Sequence, residues 1–505
     1  MANGLSSLRP IIRCRRLRSA KLPLLSGFAL VSMTVAIAAL GLPSPAPASV
    51  AACGRKTGGP AVIASTSVAA KLKGGRSVVA RGVTLCGDLD LAGARVKGLF
   101  ECRGCTLSGR LLAAEAVFES TVDLSGTRVA ELIDMQGARF ERPAVFDAGP
   151  DNSPATFEGR VDFSLATFQE LAAFSRAVFE RSATFDFARF GGDAVFDLAS
   201  FANASFSSAH FDGRASFAGL GTELRGKTTF ASAAFARDAV FTQTEFDDHT
   251  AFDGATFANN GIFIGADFTS VSFDDVRAAG SLDLTGVSAV SASFTDTVAD
   301  SVSLRDATFS RSGIVLYRVG IRDIDLAVDD VAYVKGEPSA TLKLIEQSAK
   351  NRGDLAVAND AYFEERVLAS DRHGPLVHGL DAFFYRWAAG YLVRPWNPLL
   401  ALLTVALVVA AIRMVWRGLR RATPNAAGAK PSWTQRAGQH MVLGGHAMLD
   451  TAGTVLPGRA DVADSDSLRL LHRVERFAYR ALIVCALIAL ANSNPSLRQV
   501  LDSMR

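Results

Sequence analysis

Phenylalanine recurs through the middle of the chain at a spacing that few folds accommodate. Of the 33 phenylalanines, 28 lie between Phe100 and Phe309. The gaps between them alternate between five and six residues, which defines a ladder that includes Phe163, Phe168, Phe174, Phe179, Phe185, Phe190, Phe196, Phe252 and Phe257. Only Phe100 and Phe187 fall out of this register. Helical stripes repeat at three and four residues and strands at two, so the spacing predicts a repeat architecture instead.

A small residue stands two positions before most ladder residues. Examples are Ala166, Ala172, Ala177, Ala183, Ala188 and Ala194. This alternation is typical of a narrow tube in which each repeat forms one side and points one large and one small side chain inward. Stacked phenylalanines, each burying about 150–250 Å², would form the core.

The ladder extends beyond the aromatic residues. Counting backwards from Phe118 in steps of five and six gives Ala113, Leu107, Cys102, Val96, Leu91 and Cys86. Residues 149–154 are rich in turn-forming types, and we expect a surface loop there in place of one ladder step. A second irregularity, between Phe217 and Phe230, is absorbed if Leu224 takes the ladder position.

This pattern resembles the pentapeptide-repeat family, in which a large apolar residue at the centre of each repeat follows a small residue two positions earlier. Phenylalanine in place of most leucines, together with alternate six-residue steps, resembles the Phe-rich, membrane-anchored subfamily of bacterial envelope proteins. The resemblance implies a mainly β fold: a right-handed quadrilateral β-helix over residues 83–321, with one repeat on each side.

The cysteines fit this register. Cys102 takes a large inward position and Cys105 the small position before Leu107, so we interpret the CxxC as core thiols or a structural bridge. A redox site would need an exposed thiol of lowered pKa. If the middle of the chain is exported, Cys53–Cys86 and Cys102–Cys105 could be disulfides, although the sequence leaves the pairing open.

The first 50 residues are typical of a secretory signal. Six basic residues and no acidic residue precede the apolar run at residues 24–42, and a proline-rich segment follows it. A cleaved signal peptide and a retained anchor both remain open, as does lipoprotein cleavage before Cys53. Either way, we expect residues 51–82 to form an N-terminal cap or linker outside the cytoplasm.

Charge divides the chain into an acidic middle and basic ends. Residues 81–320 hold 20 Lys and Arg against 32 Asp and Glu, a net charge of −12, whereas the whole chain carries +3. An acidic rod with basic, apolar ends is unlike a nucleic-acid-binding enzyme. It suits a membrane-attached protein whose basic residues gather on the cytoplasmic side.

The chain after the repeat is predicted to be helical. Residues 339–351 and 356–370 show amphipathic helical patterns within a helical cap or linker at 322–376. We expect residues 377–505 to be a membrane region with two transmembrane helices, at residues 398–415 and about 481–492. Residues 433–453 could form a re-entrant helix between them. The arginines after residue 415 would then face the cytoplasm.

Four short motifs in this tail also resemble the envelope subfamily. They are Tyr362-Phe363-Glu364-Glu365-Arg366, the Gly390-Tyr391 to Arg394-Pro395-Trp396 segment, Leu449-Asp450-Thr451 with Leu456-Pro457, and Asn492 to Pro495. In that subfamily the first motif ends a helical pair that links the coil to the membrane. The same arrangement is therefore expected here.

No catalytic motif accompanies these features. The sequence lacks a nucleophile elbow, a phosphate loop and a metalloprotease motif, so we predict no enzyme activity, no catalytic or metal-binding residue and no cofactor. The expected function is a binding or scaffold surface at the bacterial cell membrane, with the β-helix on the extracytoplasmic side. Its expected partners are membrane lipid and an envelope protein, with no nucleic acid. The alternatives are a channel or transport component and, with less support, a DNA-mimicking protein that interacts with gyrase.

Overall fold

The computed structural model describes residues 60–219, 223–310, 313–371, 374–421 and 466–494. The predicted signal at residues 1–50, Cys53 and the predicted re-entrant segment at 433–453 lie outside these residues. The described part of the chain contains two large parallel sheets, of 19 and 20 strands, followed by helices.

The first sheet carries two sides of a solenoid, which we call side 1 and side 2. Its strands are Val62–Ala64, Thr84–Cys86, Leu89–Asp90, Thr106–Leu107, Leu111–Leu112, Arg128–Val129, Ile133–Asp134, Thr156–Phe157, Val161–Asp162, Val178–Thr184, Ser200–Ser205, Glu223–Leu224, Thr228–Thr229, Glu245–Ala251, Asp267–Ser272, Ser288–Thr295, Thr308–Phe309, Ile314–Tyr317 and Val334–Gly336. The longer strands run through a corner and contribute to both sides.

The second sheet carries side 3 and side 4. Its strands are Val78–Arg81, Arg95–Val96, Phe100–Arg103, Val117–Phe118, Val122–Asp123, Arg139–Phe140, Ala144–Val145, Thr167–Phe168, Ala172–Ala173, Arg189–Phe190, Ala194–Val195, His210–Phe211, Ala215–Ser216, Ala234–Phe235, Ala239–Val240, Thr256–Phe257, Gly261–Ile262, Arg277–Asp283, Val298–Ser303 and Gly320–Asp325. The two sheets together form a parallel β-solenoid of about 12 turns.

The ladder residues form four columns of stacked rings inside the solenoid. Phe163 lies on side 2, Phe168 on side 3 and Phe174 on side 4, and Phe179 begins the next coil on side 1. Successive rings in a column are nearly parallel, with centroids 4.5 Å apart for Phe179 and Phe201 and 5.2 Å apart for Phe163 and Phe185. The coil spacing of about 4.8 Å therefore sets the stacking distance.

Two corners of most coils are tight turns that require a left-handed backbone. After Phe163, for example, Leu165 has a φ of 61°, and the Ala166 N–H donates to the Phe163 carbonyl at 3.0 Å. This geometry is that of a type II turn, whose third residue favours glycine. The side chain at this third position points away from the tube. Phe187 occupies this position, which explains why it falls outside the ladder.

The register of the first coils differs from the expected one. Leu85 rather than Cys86 pairs with Leu107, so Leu85 is the ladder residue and the six-residue step to Leu91 follows. The solenoid also begins earlier, because Val62–Ala64 already pairs with Thr84–Cys86. Phe100 is buried in the small-residue column beside Val122. The large residue of this side therefore stands two positions before the ladder position, which Cys102 occupies.

The loop at residues 149–154 lengthens a corner rather than replacing a ladder step. Phe157 pairs with Val129, 28 residues earlier, and both lie on side 1. The coil therefore keeps four sides and carries six extra residues between side 4 and side 1. Leu224 pairs with Phe201 and Phe246, as the ladder predicted.

Helices cover both ends of the solenoid. Helix α1, Ser65–Lys73, buries Val68 and Leu72 against the first coils. At the other end, α2, Pro338–Arg352, inserts Leu342 and Ile345 into the same core as the last strands. Helix α3, Leu355–Ser370, follows after Gly353. The bounds of α2 and α3 agree with the predicted helices to within one residue.

Helix α4, Pro375–Asp381, and a π-helical turn, Ala382–Ala388, lead to the last two helices. These are α5, Trp396–Arg421, and α6, Asp466–Ser493, which pack against each other. They contain the residues at which we expected transmembrane spans, 398–415 and 481–492. Among the helices that the structure describes, however, none has the length and apolarity needed to cross a membrane.

Candidate functional site

The predicted ladder residues are packing residues. Phe163, Phe168, Phe174, Phe179, Phe185, Phe190, Phe196, Phe252 and Phe257 are all buried in one continuous core. Each stacks on a ring of a neighbouring coil and meets rings of other sides edge to face, as Phe174 of side 4 does with Phe185 of side 2 at 5.6 Å. Because their surfaces are fully used in this way, these rings offer nothing to a ligand.

The two cysteines of the CxxC form a disulfide, and both are buried. Gly104 between them adopts a φ of 60° at a corner, so the bridge closes across a turn. Cys86 is also disulfide-bonded. Its expected pairing with Cys53 falls outside the described residues.

Ion pairs between successive coils neutralise much of the basic charge of the solenoid. Arg81 and Arg103 share Glu101, at 3.1 and 3.4 Å, and Arg103 also contacts Asp123 at 2.7 Å. Arg322 pairs with Asp300 at 2.7 Å in the same manner near the other end, and a hydrogen bond from Arg322 lowers the pKa of Asp300. Since the rod holds more acids than bases, its unpaired surface is acidic.

Three segments that are far apart in the chain meet beside α3, at a site we call the junction. It is built from Phe363 of α3, from Tyr391 and Arg394 in the segment before α5, and from Asn492 at the end of α6. Each of these residues belongs to one of the tail motifs that the sequence singled out; the motif at residues 449–457 lies outside the described residues. Their meeting could not be inferred from the motifs themselves.

Arg394 is the centre of the junction. Its guanidinium lies 3.7 Å from the centroid of the Phe363 ring, and its Nη2 lies 3.1 Å from Asp360 Oδ1 and 3.6 Å from Glu364 Oε1. A cation over an aromatic face contributes about 0.5–2 kcal/mol, depending on how far it is desolvated. Arg394 therefore ties the segment before α5 to the cap of the solenoid through charge and through stacking.

Tyr391 is held in place by packing and by one hydrogen bond. Its ring meets Phe363 edge to face at 5.4 Å, and its hydroxyl donates to Asp381. Burial, and secondly the hydrogen bond to Asp381, raise the pKa of Tyr391 to about 12. Tyr391 and Leu392 both have a positive φ, of 46° and 63°. Such strained backbone persists only where surrounding contacts fix it.

The end of α6 completes the junction. Asn492 Nδ2 donates to the Leu392 carbonyl at 2.8 Å, and the Ser493 hydroxyl donates to the Val393 carbonyl at 2.9 Å. Asn359 Nδ2 of α3 donates in turn to the Asn492 carbonyl at 3.2 Å. These bonds fix the end of α6 both to α3 and to the segment before α5. The junction therefore couples the cap of the solenoid to the α5–α6 pair.

The outer faces of α5 and α6 are apolar. Exposed residues on α5 are Leu399, Leu400, Leu403, Leu407, Val408, Ile412 and Val415. Those on α6 are Val474, Phe477, Val484, Leu487, Ile488 and Leu490. Phe383, Phe384, Tyr385, Trp387 and Trp396 add exposed aromatic rings before and at the start of α5. The sequence predicted membrane spans in these two segments. In the structure the same apolar residues form the outer surface of two packed helices.

The residues that the structure describes contain no group of three or more His, Cys, Asp or Glu side chains placed to hold a metal ion. Burial raises the pKa of Asp147 on the solenoid. Its carboxylate accepts the Ser175 N–H at 2.6 Å, which is a structural role.

One comparison identifies the repeat. Residues 174–219 match the family model of pentapeptide repeats, in 9 copies. These residues carry nine ladder positions: Phe174, Phe179, Phe185, Phe190, Phe196, Phe201, Phe206, Phe211 and Phe217. A comparison with curated proteins gives no match.

Proposed function

We propose that this chain is a non-enzymatic, membrane-anchored pentapeptide-repeat protein of the bacterial envelope, and that its solenoid is a binding surface for another envelope protein. The observation that carries the proposal is the apolar surface of α5 and α6. Soluble monomers rarely expose contiguous apolar patches larger than a few hundred Å². Here thirteen large apolar side chains of two packed helices face outward.

The flanks of α5 support a lipid surface as the occupant of these faces. Exposed aromatic residues gather before the helix, where Trp387 and Trp396 would suit the headgroup level. The sequence places Arg417, Arg420 and Arg421 at the other end. Basic residues at that end suit the cytoplasmic side of a bilayer.

A binding role for the solenoid follows from how its residues are used. The inward positions are filled by packing, and the outward positions are mainly hydroxyl, acidic and paired basic side chains. The junction would then hold this surface in a fixed relation to the membrane helices, because it joins α3 to α6 through direct hydrogen bonds.

Liposome flotation of the full chain tests the anchor. We expect the chain to float with liposomes, and a variant with Leu400→Ser, Leu403→Ser and Leu407→Ser to float much less. The matched control is Val290→Ser with Val298→Ser, two exposed apolar residues of the solenoid, which should float like the parent. A parent chain that stays at the bottom of the gradient would refute the anchor.

Reporter fusions test the orientation. Alkaline phosphatase, which is active only outside the cytoplasm, should be active when it is inserted in the corner loop at residues 149–154. It should be inactive when it is inserted after residue 421. The reverse result would contradict the envelope role while leaving the membrane anchor intact.

A further inference from the structure

Two large apolar side chains are exposed at the same corner of two successive coils. Leu165 is 57% exposed and Phe187 is 60% exposed. Each follows a ladder residue by two positions, and the Leu165 N–H donates at 2.8 Å to the carbonyl of Asp186, the residue before Phe187. The two side chains therefore lie on neighbouring turns between side 2 and side 3. We call this pair the corner patch.

Neither side chain is required by the fold at this position. Leu165 has a φ of 61° and Phe187 a φ of 57°, a region that glycine adopts more easily than other residues. Other coils place Gly137, Ser208 or Gly254 at the same corner position. Because two successive coils combine a disfavoured backbone with a large apolar side chain in water, folding alone does not account for the corner patch.

The coils that carry the corner patch have a net negative charge. Residues 155–219, which form these two coils and the next one, hold eight Asp and Glu against five Lys and Arg. Asp162 and Asp186 lie on the two coils of the patch, and each is held by a backbone N–H, from Ser164 at 2.8 Å and from Ser207 at 2.9 Å. Arg189, the basic residue that follows Phe187 most closely, is paired with Asp212 at 2.7 Å.

We propose that the corner patch docks a protein segment that presents an apolar side chain flanked by lysine or arginine. The apolar side chain would cover Leu165 and Phe187, and an aromatic anchor is a common centre of binding energy. Asp162, Asp186 and the net negative charge of these coils would favour the basic flanks and speed association. This inference specifies the kind of protein segment that the binding surface of the solenoid recognises, and so it rests on the function proposed above.

A peptide array tests the proposal. Twelve-residue peptides with Leu, Phe or Ala at the centre and Lys, Ser or Glu in the flanks are probed with the full chain in detergent. We expect Lys-flanked Leu and Phe peptides to bind at least tenfold more tightly than the Ala-centred or Glu-flanked peptides. Equal binding of Lys-flanked Ala peptides would reduce the effect to charge alone and overturn the proposal, as would the absence of any preference.

Glycine variants separate recognition from folding. Phe187→Gly and Leu165→Gly remove the apolar side chains and suit the left-handed turn, so the melting temperature should stay within about 2 °C of the parent or rise. Both variants should weaken binding of the Lys-flanked Leu and Phe peptides at least tenfold, whereas Val290→Ser should not. Parent-like binding by both glycine variants would refute the corner patch as the site. Flotation reports on the membrane anchor and peptide binding reports on the corner patch, so the failure of one proposal can be told from the failure of the other.

Discussion

The change Phe185→Ala measures how much one ladder ring contributes to the solenoid. Phe185 is fully buried and stacks on Phe163 at 5.2 Å and on Phe206 at 4.8 Å. It also meets Phe174 and Phe196 edge to face, at 5.6 and 5.5 Å. A buried phenylalanine removes about 150–250 Å² from water, which at roughly 25 cal/mol per Å² corresponds to about 4–6 kcal/mol as an upper bound.

The expected loss of stability is therefore about 3–5 kcal/mol, the usual range for Phe→Ala in a core. Rings above and below cannot close the cavity, because the coil spacing is fixed by the backbone ladders. Phe185→Leu should cost only about 1 kcal/mol, since the volume is nearly kept. Leu224 already occupies a ladder position between Phe201 and Phe246 in this chain.

Phe187→Ala is the matched control. It changes the same residue type in the same coil, two positions away, but the Phe187 ring is exposed. Because most of this side chain is already in water, little packing is lost, and the free energy of unfolding should change by less than about 0.5 kcal/mol.

Urea denaturation of the full chain, followed by circular dichroism at 218 nm, measures the solenoid. All four tryptophans lie beyond residue 380, so their fluorescence reports separately on the helical end. Phe185→Ala should lower the urea concentration at the midpoint of the dichroism transition well below that of the parent, and Phe187→Ala should leave it unchanged. Equal shifts for the two variants, or a loss below about 1 kcal/mol for Phe185→Ala, would refute the stacked-column account.

Three further predictions concern titrating groups and the junction. The pKa of Tyr391 in the folded chain is raised to about 12. The contribution of Tyr391 to stability is therefore complete below pH 10 and is lost as the pH rises through 12. Tyr391→Phe should remove the last tyrosinate step in an absorbance titration at 295 nm. Burial raises the pKa of Asp147 above 3.8, so its contribution is complete below pH 3.8 and falls as the pH rises. Asp147→Asn should therefore gain stability relative to the parent from pH 4 towards neutrality in urea titrations, and a constant difference would contradict this. Arg394→Lys should weaken the contact with Phe363 by about 0.5–1 kcal/mol and speed amide exchange in α3, while exchange in the solenoid stays unchanged.

The solenoid could be predicted from the sequence because its core repeats at a period that the chain displays directly. Each ladder residue has the same surroundings, so one rule places nearly all of them. The rule fails where two neighbouring residues satisfy it equally, as at Leu85 and Cys86. It also fails where a large residue moves to the small position, as Phe100 does beside Cys102, because the total volume of a coil matters more than the order of sizes.

The junction could not be predicted, for a different physical reason. Its hydrogen bonds to the end of α6 join residues 100 to 133 positions apart, such as Asn492 with Leu392 and Asn359 with Asn492. No local period or spacing encodes such contacts. The motifs marked which residues mattered, but only the fold brings Phe363, Arg394 and Asn492 together.

The solenoid separates the residues that hold the fold from those that can recognise a partner. An inward residue such as Phe185 is constrained by rings in the coils above and below it. The third residue of a corner turn points outward, and this chain accepts glycine, serine, aspartate, glutamine, leucine and phenylalanine there. Recognition can therefore change at the corners without changing the core. A binding surface of this kind requires two results together. Changes at Phe187 should weaken binding without loss of stability, and changes at Phe185 should reduce stability.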